Sequence, residues 1–134
     1  MSPEPSFDDV YNPTLEEMTA WAYAPDAQDP VSQDWDLVAT RPAFGSLFLT
    51  LAADRQCPQR RFFLGCLYLL AGDAVRTRFR IMPEESLIEL TGEAILIGEV
   101  RVSTWAARTR TLVGAPESFV YEDWCDPRGL ASAP

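Results

Sequence analysis

The sequence predicts an all-α fold of about six helices in antiparallel hairpins, arranged as a compact bundle or a HEAT-like stack. Three observations favour this fold. Helix-start signals built on proline recur along the chain, apolar residues follow them at helical spacing, and the stretch up to Gly72 includes a segment that is apolar on nearly every side. An α+β alternative stays open, with strands near 75–81 and 94–102.

Length and composition fit a single globular domain, with 134 residues, 47% of them hydrophobic and 23% charged. We expect this helical domain to span residues 13–126. A flexible acidic arm at 1–12 and a frayed C-terminal end at 127–134 would flank it. The first residues lack the basic and apolar regions of a secretory signal, and the longest apolar stretch is about half of a membrane span. These features predict a cytoplasmic protein with no membrane contact.

The first helix is predicted by a strong start signal. Asn12 and Pro13 are followed by a possible capping box of Thr14 and Glu17, and Pro25 ends the segment. Because the acids lie in the first turn, they also complement the helix dipole.

The next start signal, Asp29-Pro30, precedes apolar residues at helical spacing, namely Val31, Trp35 and Val38. A helical hairpin then covers 42–72, with its turn at 54–58 and with Gly72 as a natural helix stop. The second arm of this hairpin has almost no polar face beyond its first turn. We therefore expect it to be the central element of the core.

The middle of the chain is ambiguous. Every second residue is arginine between Val75 and Ile81, which is a strand period, and 94–102 is rich in β-branched residues. Helices fit better, one beginning at Pro83 and a second ending at Gly114. Beyond this helix, three aromatic residues close to the C-terminus are expected to dock onto the body: Phe119, Tyr121 and Trp124.

The negative charge is concentrated in the first third of the chain. The net charge is −9, residues 1–40 hold nine acids and no base, and the remaining residues hold eleven of each. This distribution disfavours binding to nucleic acid or anionic lipid and suits a basic protein partner. All the bases are arginine and histidine is absent, a composition that suggests a bacterial genome of high GC content.

No catalytic motif is present. The chain lacks a nucleophile elbow, a phosphate-binding loop and a dinucleotide fingerprint, and without histidine it cannot form a Ser-His-Asp triad. The acidic pairs are adjacent in sequence, so on a helix they point in different directions. We predict no cofactor and no metal site, and a binding protein rather than an enzyme.

Cys57 is the thiol with the most suggestive surroundings. It is expected at the start of a helix with Arg60 and Arg61 one turn away, and both features would lower the pKa of the thiol. Cys66 lies in the most apolar helix and Cys125 among acids, so neither is expected to be reactive.

Aromatic residues interleaved with acids predict a protein-binding face. The candidate contact residues are Trp21, Tyr23, Asp34, Trp35 and Asp36. An equal alternative is that the two tryptophans pack inward.

The sequence therefore suggests a small interaction module, of an immunity or inhibitor type, that binds a basic partner. Two alternatives remain open. One is an α+β ligand-binding domain or enzyme with a pocket at Tyr68, Arg76 and Glu93, and the other is a redox sensor based on Cys57.

Overall fold

The computed structural model describes residues 7–24, 39–120 and 124, and these residues contain helices and turns but no strand. The five α-helices of this part of the chain are α1 (Leu15–Ala22), α2 (Gly45–Ala53), α3 (Arg60–Arg76), α4 (Glu84–Ile97) and α5 (Val100–Gly114). Single 3-10 turns at Pro42–Phe44 and Pro116–Ser118 lie before α2 and after α5. The all-α prediction is confirmed. The predicted helix carrying Val31, Trp35 and Val38 lies outside the described residues.

The α+β alternative is wrong. Residues 75–81 form the end of α3 and the turn that follows it, and residues 94–102 form the hairpin between α4 and α5. Left-handed backbone at Gly98, with a φ of 75°, ends α4 and lets the chain reverse within two residues. The β-branched residues of this segment are therefore helical on both sides of a tight turn.

The first helix begins as its capping box predicts. The Thr14 hydroxyl accepts the backbone N–H of Glu17 at 3.1 Å, and the Glu17 carboxylate accepts the backbone N–H of Thr14 at 2.9 Å. The second oxygen of Glu17 accepts the backbone N–H of Asp8 at 2.9 Å, which ties the preceding segment to α1. Arg41 adds a hydrogen bond to the Asn12 side chain at 2.6 Å. Residues 7–12 of the predicted arm thus contact the body of the protein.

The central element is α3, as its composition predicts. It is buried along most of its length and contacts α2, α4 and α5. At its first turns Trp21 of α1 packs edge-on against Phe62 and Phe63, with ring centroids 4.9 and 5.8 Å apart. The helices of the two hairpins also contact each other, as in a compact bundle. Among the described residues, no helix combines the length and the apolar character that crossing a bilayer requires.

Gly72 does not end α3, contrary to the sequence prediction, since the helix continues to Arg76. The glycine instead provides space for a side chain from the end of the chain. A Cβ atom at position 72 would lie 2.9 Å from Cδ1 of Trp124, which is closer than such contacts allow. The indole is 8% exposed and its Nε1 donates to the carbonyl of Tyr68 at 2.6 Å. The expected docking of the C-terminal aromatic segment is confirmed for Trp124.

A strained turn joins α3 to α4. Arg78 and Phe79 both have left-handed backbone, with φ of 56° and 62°, although neither is glycine. The backbone N–H of Phe79 donates to the carbonyl of Ala74 at 2.7 Å, and the Phe79 ring packs against the core. The alternating arginines therefore lie at the end of α3 and in this turn, and not in a strand.

Three connections meet at one end of the bundle. The end of α1 approaches the α2–α3 turn, where the Cys57 thiol donates to the carbonyl of Ala22 at 3.4 Å. The first residue of α3, Arg60, pairs with Glu99 of the α4–α5 turn at 3.5 Å. Glu99 also caps α5 by accepting the backbone N–H of Arg101 at 3.0 Å. The two hairpins therefore present their turns at the same end.

Two glycines of α3 give opposite expectations for replacement by alanine. Gly65→Ala should raise the free energy of unfolding by about 0.5–1 kcal/mol, because nothing lies within 4 Å of the added Cβ and alanine favours the helix. Gly72→Ala should lower it by about 1–2 kcal/mol, because the added Cβ displaces Trp124 and its hydrogen bond. Urea denaturation measures both. Equal stabilisation by the two substitutions would contradict the packing of Trp124 on Gly72.

Candidate functional site

The structure separates the residues of the predicted interaction face. Trp21 is 2% exposed and belongs to the core, so it is not a surface anchor. Its burial corresponds to the inward-packing alternative. Tyr23, two residues later, is 41% exposed. Asp34, Trp35 and Asp36 lie outside the described residues, so their part in this face stays a prediction.

The described acids of the N-terminal third fall into two groups. Glu17 is committed to the cap of α1, and the hydrogen bonds from the backbone of Asp8 and Thr14 lower the pKa of its carboxyl. Asp8, Asp9 and Glu16 are exposed, and none of them forms an ion pair with an arginine of the described segments. Their carboxylates therefore have no ion-pair partner among the described residues, and Arg41 reaches this segment through Asn12 and the carbonyl of Tyr11.

Tyr23 is joined to the α2–α3 turn through Asp54. Its hydroxyl donates to the Asp54 carboxylate at 2.5 Å. This hydrogen bond, with smaller contributions from burial and from the charge of Asp54, raises the pKa of Tyr23 to about 12. The pKa of Asp54 is lowered by the same bond and by the backbone N–H of Gln56 at 2.8 Å. The exposed ring of Tyr23 is thus held in one place on the surface.

Cys57 is buried, and burial raises the pKa of its thiol. This direction is opposite to the sequence-based expectation. The hydrogen bond from the Gln59 backbone and the charge of Arg60 favour the thiolate, but desolvation outweighs them. Arg60 is paired with Glu99, which further reduces its influence. The other described cysteine, Cys66, is also buried and unbridged, and Cys125 lies outside the described residues.

A cleft of about 380 Å³ lies between α5 and the segment that follows it, and sequence reasoning did not find it. Arg108 lines it together with Phe119 and Trp124. The guanidinium lies 5.0 Å from the ring centroid of Tyr68 and 5.2 Å from that of Trp124, and it donates to the Tyr68 hydroxyl at 3.1 Å. Arg108 therefore holds the docked indole in place. In the sequence, only the aromatic residues near the C-terminus point to this cleft. No local sequence pattern indicates that they contact Arg108.

Each residue of the alternative ligand pocket has a partner of its own. Tyr68 bonds to Arg108, Arg76 pairs with Asp73 at 3.1 Å, and Glu93 accepts the hydroxyl of Ser46 at 3.0 Å. The strands that would back this pocket are absent from the described segments. Nor do three or more potential metal ligands gather anywhere in the part of the chain that the structure covers.

Comparison with known proteins adds no relative: no family model, no curated protein and no solved structure matches this chain.

The Tyr23–Asp54 bond predicts a coupled change in titration. Tyr23→Phe should raise the pKa of the Asp54 carboxyl toward its ordinary value of 3.8, because the donor that stabilises the carboxylate is lost. Carbon-13 NMR of the aspartate carboxyls between pH 2 and 6 measures this shift. In the wild type the bond stabilises the fold above pH 3.8 and this contribution is lost as the pH falls through the lowered pKa. An unchanged Asp54 titration in Tyr23→Phe, with Tyr11→Phe as the control, would contradict the bond.

Burial of Cys57 predicts slow alkylation. In the native protein at pH 7, iodoacetamide should label Cys57 at least tenfold more slowly than in the chain unfolded in urea, because both access and thiolate formation are suppressed. Mass spectrometry of peptides resolves Cys57 from Cys66 and Cys125. Labelling of native Cys57 as fast as in the unfolded chain would contradict its burial and favour the redox-sensor hypothesis.

Proposed function

We propose that this protein is an interaction module that binds a basic protein partner, in the manner of an immunity or inhibitor protein that neutralises a cationic effector. The proposal includes a bacterial, cytoplasmic setting, which rests on the composition of the chain. In this proposal the module binds its partner and does not catalyse a reaction on it.

One observation carries the proposal, namely the separation of charge along the chain. The entire net charge of −9 resides in residues 1–40, which contain no base. In the described part of this segment, Asp8, Asp9 and Glu16 are exposed and have no arginine partner among the described residues. In residues 41–134 the eleven arginines equal the acids in number. The field that attracts a cationic surface therefore comes from residues 1–40.

The mechanism is electrostatic steering followed by short-range contact. Uncompensated carboxylates accelerate the encounter with a basic protein and make the association rate sensitive to salt. Trp21 contributes by holding α1 on α3 rather than by touching the partner. Tyr23 supplies a contact residue whose orientation is fixed by Asp54, and Trp35 remains the proposed second anchor.

Removal of three acids tests the steering. A triple variant, Glu16→Gln with Asp34→Asn and Asp36→Asn, should slow association with the partner about tenfold at low salt and flatten its salt dependence, because the steering field is reduced. The partner is first isolated on the immobilised full chain from a lysate of the source organism and identified by mass spectrometry, and surface plasmon resonance at 50 and 300 mM NaCl then gives the rates.

A matched control removes three acids near the C-terminal end, Glu117→Gln with Glu122→Gln and Asp126→Asn, and so has the same net charge. Its association rate should stay close to that of the wild type. Equal slowing by both variants would assign the effect to net charge rather than to the N-terminal face. A retained partner that is not basic, or binding that does not respond to salt, would contradict the proposed function.

A further inference from the structure

An aliphatic surface is exposed where α4 turns into α5. Leu96 is 89% exposed, and Ile95, Ile97 and Val100 are each more than 40% exposed. Other exposed large apolar side chains of the described segments, such as Leu15 and Val120, lie elsewhere along the chain. Single exposed apolar residues are ordinary, but four of them within the six positions around one turn make this end of the bundle more apolar than the other exposed parts of the described segments.

The exposed face of α4 leads into this surface and is acidic. The helix contains four glutamates and no base. Its buried residues lie on the opposite side, with Leu87, Leu90 and Ala94 in the core. Glu85, Glu89 and Leu96 share the solvent side because residues four and eleven positions apart lie on one face of a helix. From Glu85 to Leu96 the helix rises about 16 Å, or three turns.

No glutamate of α4 forms an ion pair with a described arginine, although Arg78 and Arg80 lie in the turn just before the helix. On one side α2 has no charged residue. On the other side Arg110 of α5 donates to Thr91 of α4 at 2.9 Å, and it lies near the middle of the helix. Arg101 lies near the turn, and Glu99 there is already paired with Arg60. The face therefore combines an aliphatic end with exposed glutamates that have no ion-pair partner among the described residues.

We propose that this face of α4, with the aliphatic turn at its end, is a docking site for a cationic amphipathic segment of a partner protein. The segment would place aliphatic side chains over Ile95, Leu96 and Val100, and arginine or lysine side chains beside Glu85 and Glu89. Charge complementarity selects this occupant. A second copy of the chain would bring the glutamates of two α4 faces together, and an anionic membrane would be repelled by the net charge of −9.

This inference rests on the proposed function and names a second contact for the same basic partner. The N-terminal acids would steer the encounter, whereas the α4 face would supply the apolar burial that slows dissociation. Burial of a side chain the size of leucine changes affinity by about tenfold or more. The two contacts can therefore be tested separately.

The probe is a synthetic 15-residue peptide of leucine and lysine in amphipathic helical order, with a scrambled peptide of the same composition beside it. Fluorescence anisotropy at 50 and 150 mM NaCl measures binding to the full-length protein. Leu96→Ser should weaken binding about tenfold, because the aliphatic contact is lost. Leu15→Ser, which replaces a leucine that is 45% exposed on α1, is the matched control and should bind as the wild type does. Circular dichroism verifies that both variants keep their helices.

A second pair of variants tests the charge. Glu85→Gln with Glu89→Gln should reduce the salt dependence of peptide binding, whereas Glu117→Gln with Glu122→Gln should not. Equal peptide binding by wild type, Leu96→Ser and Leu15→Ser would overturn the docking site while leaving the proposed function standing. Absence of peptide binding to the wild type, or equal binding of the scrambled peptide, would also overturn it.

Two other occupants give distinct results. Sedimentation velocity would reveal a dimer that Leu96→Ser dissociates if a second copy covers the face. Flotation with neutral phosphatidylcholine vesicles, lost in Leu96→Ser, would assign the face to a membrane. Either result overturns the proposal. Failure of the proposed function itself appears in the lysate experiment, as a retained partner that is not basic.

Discussion

The arrangement of the helices depends on the need to cover α3. Its apolar residues lie on almost every side, so no orientation lets this helix keep a solvent face, and other elements must enclose it. The partner arm α2 covers one side, α5 and α4 cover others, and α1 closes the first turns through Trp21. Trp124, 8% exposed, covers α3 at Gly72. Trp124 is therefore part of the core.

This constraint also explains how much of the fold the sequence could predict. Periodicity and caps are local signals, and they correctly indicated α1, the hairpin of α2 and α3, and the helices on either side of Gly98. Gly72 was misjudged because its role depends on Trp124, 52 positions away, which no local pattern records. The alternating arginines are ambiguous for a similar reason, since a period of two records neither the left-handed backbone at Arg78 nor the packing of Phe79 against the core.

The candidate site was less predictable than the fold. Interleaved acids and aromatics indicated a surface, but whether an aromatic ring faces solvent depends on its partners in three dimensions, and Phe62 and Phe63 draw Trp21 inward. The pKa of Cys57 was expected in the wrong direction because sequence neighbours reveal charges but not desolvation. The exposed turn at Leu96 was visible only as a run of β-branched and aliphatic residues, which suits a buried strand equally well.

The left-handed pair at Arg78 and Phe79 restricts which sequences can join α3 to α4. Position 78 accepts glycine, asparagine or aspartate readily, whereas a β-branched residue there would clash with its own backbone. Position 79 must combine the same backbone with a ring that fills the core, so glycine would remove packing while relieving strain. The substitutions that this segment tolerates are therefore limited by backbone geometry at one residue and by both backbone and volume at the next. An insertion here would disturb the core, even though the segment is a surface turn.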